Sequence, residues 1–175
     1  MELPMEKSEV CVVRCKGGKE EVGLLFEYQG PDDCRTKNIL HQGDKRCIFG
    51  CLGNGHCMTV CPSGAITMSA NDLQVIDANK CVACRTCVKE CPRHVLELVP
   101  RTQLIYLACM SPDKDNMVRD ACTVGCDACG MCVKVCTSGD NIGEPCINNN
   151  HCPNGACAAA GTCRDRCGRC AGPLP

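Results

Sequence analysis

The chain has 175 residues and a formal net charge of −1, with no block of like charge and no basic stripe, which argues against nucleic acid as a partner. Aromatic residues make up only 2% and Trp is absent, which excludes a conventional aromatic-rich core. Cysteine stands out instead: 23 of 175 residues lies well above the roughly 8–10% at which a short chain is suspected of being held together by sulfur chemistry.

From the N-terminus, MELPMEKSEVCVVRCKGGKEE carries charges throughout and lacks the basic start, apolar run and small-residue cleavage site of a secretory signal. The odd cysteine count precludes full internal pairing, and many cysteines are followed by a second one three residues on. Metal ligation in a reducing, cytoplasmic setting is therefore expected over disulfides. The longest apolar runs, VGLLF and LIYLACM, are far short of the roughly 18 residues of a membrane span, so no span is expected.

Residues 10–34 read as a hairpin: VCVVRC is one strand, KGGK the turn, and GLLFEYQG the second strand before Gly-Pro-Asp-Asp. Residues 1–45 are taken as a β lead-in on this basis. A repeat begins at Cys47 and defines a second unit, residues 46–110. CPSGAITMSANDLQVIDANKC, from Cys61 to Cys81, reads as loop, strand, turn at Ala70-Asn71-Asp72, strand and loop. CPRHVLELVPRTQLIYLAC, from Cys91 to Cys109, starts alike, with VLELVP in the place of AITMSA. Residues 111–175 hold a third cysteine motif and a tail dominated by Gly, Asn, Pro and Cys. From Thr137 onward the tail has too few apolar residues to bury a core of its own.

Cys81, Cys84, Cys87 and Cys91-Pro92 have the CxxCxxCxxxCP spacing of bacterial-type ferredoxins. Two intervening residues let three thiolates converge on one face of a cubane while backbone N–H groups turn toward its sulfurs. Pro92 then fixes φ and directs the chain away. The first half carries Cys47, Cys51, Cys57 and Cys61-Pro62 at wider spacing, with Gly50, Gly53 and Gly55 in the longer loop. Because the Cys before Pro serves the other cluster in two-cluster ferredoxins, one cluster is assigned to Cys47, Cys51, Cys57 and Cys91, the other to Cys81, Cys84, Cys87 and Cys61. Zinc ribbons space their cysteine pairs differently, about 15 to 20 residues apart.

Cys126, Cys129, Cys132 and Cys136 repeat the CxxCxxCxxxC spacing and form a third motif. Its fourth ligand and the partners of Cys136 must come from the tail. Cys152 closing the third cluster, and Cys163, Cys167 and Cys170 joining Cys136 in a fourth, fit on spacing; free or oxidised tail thiols are the alternative. Cys11, Cys15, Cys34, Cys109 and Cys122 stand outside motifs and read as buried, inert thiols. His56, beside Cys57, reads as a surface or outer-shell residue. Lys80, Arg85, Lys89 and Arg93 surround the second motif, as solvated charges or as a docking surface for an acidic partner.

With these phrases laid out, residues 12–136 resemble the polyferredoxin-type iron-sulfur protein of the Rnf electron-transport complex, its B component: VVRCKGGKEE, FEYQGPDDC, CIFGCLGNGHCMTVCPSGAI, CVACRTCVKECPRHVLELVP and CTVGCDACGMCVKVC occur in that order. The resemblance implies a polyferredoxin-type subunit relaying electrons between reduced ferredoxin and flavin or iron-sulfur subunits, with the twelve motif cysteines as cluster ligands. Cys15, Cys34, Cys109 and Cys122 also fall at positions that recur in that family. In that family a membrane helix and a separate cysteine-rich domain precede the matching stretch, and a complete CxxCxxCxxxCP follows it; neither is reproduced here, and attachment at the cytoplasmic membrane face is expected to be peripheral.

Taken together, these features imply an α+β, ferredoxin-like two-cluster domain with a β lead-in and a cysteine-rich extension. The sequence contains no activated nucleophile, no GxGxxG and no paired carboxylates, so an electron-transfer subunit is expected rather than a stand-alone enzyme. A scaffold stabilised by zinc or clusters, without redox turnover, is the competing class.

Overall fold

The computed structural model describes residues 8–102, 106–127 and 170–171. Its strands and short helices run in the order β1 (Glu9–Val13), α1 (Cys34–Ile39), α2 (His56–Thr59), β2 (Ile66–Met68), β3 (Gln74–Ile76), α3 (Thr86–Glu90), β4 (Leu96–Pro100), β5 (Tyr106–Leu107), α4 (Asp115–Ala121) and β6 (Cys170–Ala171).

Two antiparallel pairs organise the centre. β1 lies on β4, from Glu9 opposite Pro100 to Val13 opposite Leu96, and β2 lies on β3, from Ile66 opposite Ile76 to Met68 opposite Gln74. The β2–β3 hairpin with its turn at residues 70–72 was legible in the sequence; Ser69 N–H donates back to the Leu73 carbonyl at 2.8 Å. The expected hairpin of residues 10–34 does not form. VCVVR finds its partner in the second half of the repeat, because Val10, Cys11 and Val12 are apolar on consecutive positions and all three are buried, so both faces of the strand need cover. A strand buried on both faces needs a central place rather than a local hairpin partner. GLLFEYQG contributes one isolated bridge, Leu24 to Lys45, with Val22 just before it bridging to Cys122, and Leu24 and Leu25 are exposed.

The resulting β1-α2-β2-β3-α3-β4 order is a pseudo-symmetric α+β arrangement of ferredoxin-like type, with α1 inserted before its first helix. The core comprises Val10, Val12, Ala65, Ile66, Ile76, Ala78, Val95, Leu96 and Val99 together with Cys11, Cys51, Cys57, Cys81 and Cys87. Thiols supply the bulk that aromatic side chains supply elsewhere.

The repeat has an offset of 30 residues, and the backbone repeats with it. Gly53 and Ala83, Gly55 and Arg85, and Gly64 and His94 all have positive φ, between 53° and 88°. Gly55 and Arg85 each stand at the N-terminus of a short helix, α2 and α3, carrying Cys57 and Cys87 respectively. Where the first half uses glycine, the second bends non-glycine residues into the same left-handed conformation, which costs about 1 kcal/mol or more per residue. Such a cost persists only if the loop has to take that shape, and in both halves it is the loop that presents the thiols.

The N-terminal loop is pinned to the β2–β3 turn. A Cβ on Gly18 would lie 2.2 Å from the Asn71 carbonyl oxygen, and Asn71 Nδ2 donates to Glu21 Oε2 at 2.7 Å. Lys37 in α1 makes a buried ion pair with Asp44 at 2.8 Å and stands over the Tyr28 ring. β5 pairs antiparallel with β6, Tyr106 opposite Ala171 and Leu107 opposite Cys170. No helix among the described residues is long and apolar enough to cross a membrane.

Candidate metal centres

The motif cysteines converge on two cavities, each drawing on both halves of the repeat. One is lined by Cys61 from the first half and Cys81, Cys84 and Cys87 from the second, with Cys11 of β1 on its wall. This quartet is the one its spacing predicts. Cys87 sits in α3, Cys81 is buried in the loop before it, and Cys84 is exposed at the rim. Ala65 N–H donates to Cys61 Sγ at 3.3 Å. Burial works against the Cys61 thiolate, but hydrogen bonds from Ser63 and Ala65 outweigh it and hold the thiol below its ordinary pKa. Cys11 Sγ lies 3.6 Å from Cys87 Sγ, and this thiol contact draws Cys87 down to about 7.

The second cavity is lined by Cys51, Cys57 and Cys91, with Cys34 rather than Cys47 as the fourth thiol. Cys47 lies elsewhere, beside Cys15: a Cβ on Gly50 would be 3.4 Å from each of their sulfurs. The offset of 30 explains the exchange. Cys51, Cys57 and Cys61 stand where Cys81, Cys87 and Cys91 stand in the second half, and Asn54 occupies the place of Cys84. Cys34, the first residue of α1, fills that gap. Its sulfur accepts from the backbone N–H groups of Asn54 and His56, although burial keeps its pKa above the ordinary value. Asp33 places it: its carboxylate accepts from Thr36 N–H at 2.9 Å and caps the helix.

Sequence reasoning missed Cys34 because it lies well upstream of the motif and in no repeat. It also missed Gln74, whose Nε2 donates to Cys51 Sγ at 2.9 Å and also reaches Cys57. Gly53 N–H adds a donor to Cys51 at 3.3 Å. Even so, burial pushes Cys51 up to about 12 and Cys57 up to about 11. These thiols ionise only when a cation meets them, as a bound metal does. His56 bridges the rim, Nδ1 to Asp33 at 3.0 Å and Nε2 to Glu90 at 3.4 Å, and is not directed to the thiols by these contacts.

Among the basic residues near the second motif, Lys80 pairs with Asp77 and Arg85 with Glu9, both at the surface. Arg93 is different. Its Nε and Nη2 are buried without a hydrogen-bond partner, and the guanidinium feels Cys47, Cys91 and Cys51 most strongly among charged groups.

Among the described residues no three Cys, His, Asp or Glu side chains come close enough together to hold one metal ion. The thiols are spread around cavity walls instead, with open space of about 290 Å³ and 280 Å³ in the two cavities. A tetrahedral ion with bonds of about 2.3 Å draws its sulfurs together, whereas a cubane holds them at its outer corners. The all-thiol donor set, the N–H groups on the sulfurs and the unpaired buried cation fit a four-iron cluster. Of the third motif and tail, Cys129, Cys132, Cys136, Cys152, Cys163 and Cys167 lie outside the described residues, and Cys170 is in β6.

Comparison with known proteins agrees with the donor set. Residues 75–97 match the 4Fe-4S binding domain family. The chain is 38% identical over 126 residues to the B component of the Na(+)-translocating ferredoxin:NAD(+) oxidoreductase complex of Acetobacterium woodii, covering 72% of this chain and 38% of that protein. It is 43% identical over 123 residues to the B component of the proton-translocating ferredoxin:NAD(+) oxidoreductase complex of Clostridium ljungdahlii, covering 70% and 43% respectively. The B component of the ion-translocating oxidoreductase complex of Methanosarcina acetivorans is 33% identical over 138 residues, covering 79% and 52%. The chain thus spans about two fifths to one half of the length of these relatives. In the stretch it shares with them, the chain is similar to the B component of ion-translocating ferredoxin:NAD(+) oxidoreductase complexes, and it carries a 4Fe-4S binding domain.

Proposed function

We propose that residues 9–100 form a two-cluster electron relay within an Rnf-like oxidoreductase complex, passing single electrons between reduced ferredoxin and flavin or iron-sulfur partner subunits. The observation that carries this reading is that each cavity takes three thiols from one half of the repeat or its α1 supplement and one from across the repeat: Cys61 joins Cys81, Cys84 and Cys87, and Cys91 joins Cys34, Cys51 and Cys57. When bound, clusters of this type supply one-electron transfer over a wide range of potentials.

The chain's own residues do the rest. The crossed ligands tie the two halves into one body, in which α2 packs on α3. N–H donors from Ala65, Gly53 and the Gln74 amide lie on ligand sulfurs, where they favour the reduced, more negative state. Arg93 adds a fixed positive charge at the Cys91 cavity. Cys84 and Arg85 are exposed, so the Cys81 cavity opens at the surface and is the entry or exit point for a partner. Ion translocation in the names of the relatives fits attachment to a membrane complex, and thiols left outside disulfides fit a reducing, cytoplasmic setting. A third cluster on Cys126, Cys129, Cys132 and Cys152, and a fourth on Cys136, Cys163, Cys167 and Cys170, extend the relay.

Anaerobic purification followed by iron and sulfide analysis, EPR and redox titration tests the proposal. At least about eight irons per chain, with reduced-cluster signals and reduction by a low-potential ferredoxin, are expected. A colourless protein holding only zinc, or clusters that reduced ferredoxin cannot reduce, overturns it.

A further inference from the structure

Among the described cysteines that neither cavity uses, four meet in a third. Cys15 follows β1, Cys47 precedes the first motif loop, Cys109 follows β5, and Cys122 closes α4; all four line one cavity with open space of about 490 Å³. The four positions are far apart in sequence, so no spacing rule brings them together. Their proximity is nonetheless tight: Gly50 has room for a Cβ only at 3.4 Å from both Cys15 Sγ and Cys47 Sγ, and a Cβ on Gly17 would be 2.9 Å from Cys122 Sγ.

We propose that Cys15, Cys47, Cys109 and Cys122 hold a further four-iron cluster, outside every CxxCxxC motif of the chain. Three features shared with the motif cavities support it. The donor set is four thiols, spread on the wall rather than drawn to a point, as in the cavity whose Cys81, Cys84 and Cys87 fall within the 4Fe-4S family match. Backbone N–H groups donate to its sulfurs, Cys51 N–H to Cys15 Sγ at 3.3 Å and Cys126 N–H to Cys109 Sγ at 3.3 Å. A buried cation faces it: Lys45 is only 5% exposed, lines the cavity, and its ammonium has no hydrogen-bond partner. An unpaired buried ammonium is expensive, and an anionic cluster beside it is the counter-charge that makes it tolerable. Four thiols taking up a preformed cluster release four protons, and no electron is transferred in that step.

The location adds a consequence. Cys51 donates its N–H to Cys15 Sγ while its own sulfur lines the Cys34 cavity, so one residue links the two sites. The new site therefore stands next to the relay and extends it toward α4 and Cys126.

Native mass spectrometry of the anaerobically reconstituted full chain tests this, with the two motif clusters serving as a folding control. Replacing both Cys15→Ser and Cys122→Ser should remove about four irons and four sulfides and leave the remaining increments in place. Should the double variant lose all iron through misfolding, the half-exposed Cys109→Ala decides: loss of at least one iron, with one EPR signal altered and the others kept, supports the site. Unchanged iron and an unchanged spectrum in Cys109→Ala, or an increment of one ion in place of a cluster in the parent chain, overturns it.

Discussion

Cys11 Sγ, on the central strand β1, lies 3.6 Å from Cys87 Sγ, on α3, and both residues are buried. The contact is unequal. This hydrogen bond and burial favour a protonated Cys11 and draw Cys87 toward the thiolate, so Cys11 is the donor whenever Cys87 is ionised. A core thiol that the sequence marks as inert is thereby placed to donate to the sulfur of a proposed ligand. Replacement Cys11→Ala removes the donor and disfavours the reduced cluster. A potential more negative by on the order of 50 mV, equivalent to about 1 kcal/mol, is expected in an EPR-monitored titration, with iron content unchanged.

The exchange of Cys47 for Cys34 gives two opposed outcomes. With Cys34 as ligand of the second cavity, Cys34→Ala should abolish or degrade the cluster on Cys51, Cys57 and Cys91, whereas Cys47→Ala should leave it intact and affect a different signal. Spectra of the two variants, compared with the parent, separate these. Loss of the same signal in both would restore the assignment made on spacing.

That exchange also marks how far the sequence could be read. Cys61, Cys81, Cys84 and Cys87 were legible because their contacts are local or fixed by the crossing rule of a known motif. The β2–β3 hairpin was legible because its turn is short. The placement of Cys47 outside the second cavity has a trace in the sequence: an offset of 30 pairs Cys51 with Cys81 and leaves Cys47 without a counterpart, since residue 77 is Asp. What periodicity could not supply was the pairing of β1 with β4, or the meeting of Cys15, Cys47, Cys109 and Cys122. Both depend on closing long loops, and no local pattern encodes which distant segment closes them.

The buried pair of Lys37 and Asp44 fixes α1, and with it Cys34, against the loop that leads into the first motif. Lys37 also donates to the Leu52 carbonyl at 3.4 Å. Asp44→Asn leaves the ammonium buried without its counter-charge, which should destabilise the protein by about 3 kcal/mol. Lys37→Met combined with Asp44→Leu should recover most of that loss. Anaerobic thermal unfolding followed through the visible absorbance measures both.

Val10 and Val95 are each only 1% exposed, and Val95 directly follows the left-handed His94 turn that releases Cys91 into its cavity. Truncating Val95→Ala removes two methyl groups from a core with almost no aromatic volume to collapse into the gap. A loss of about 2 kcal/mol is expected, with retained cluster content at low temperature and earlier bleaching on heating.

Lys45 carries the sharpest test of the electrostatics, because removing it should move two quantities in opposite directions. Its ammonium is buried, lacks a hydrogen-bond partner, and acts on both Cys15 and Cys51 through its charge. In the cluster-loaded protein it favours whichever state is more negative, the reduced one. Lys45→Met should therefore lower the potential of an adjacent cluster by on the order of 50–100 mV, the size of one charge acting over roughly 7–14 Å at an effective dielectric of about 20. In protein stripped of metal the same charge faces neutral thiols and only costs desolvation, so Lys45→Met should make the stripped chain more resistant to denaturant. A fall in potential together with a gain in metal-free stability requires a charge placed for the clusters. A change in neither would mean that the ammonium reaches water and takes no part in holding them.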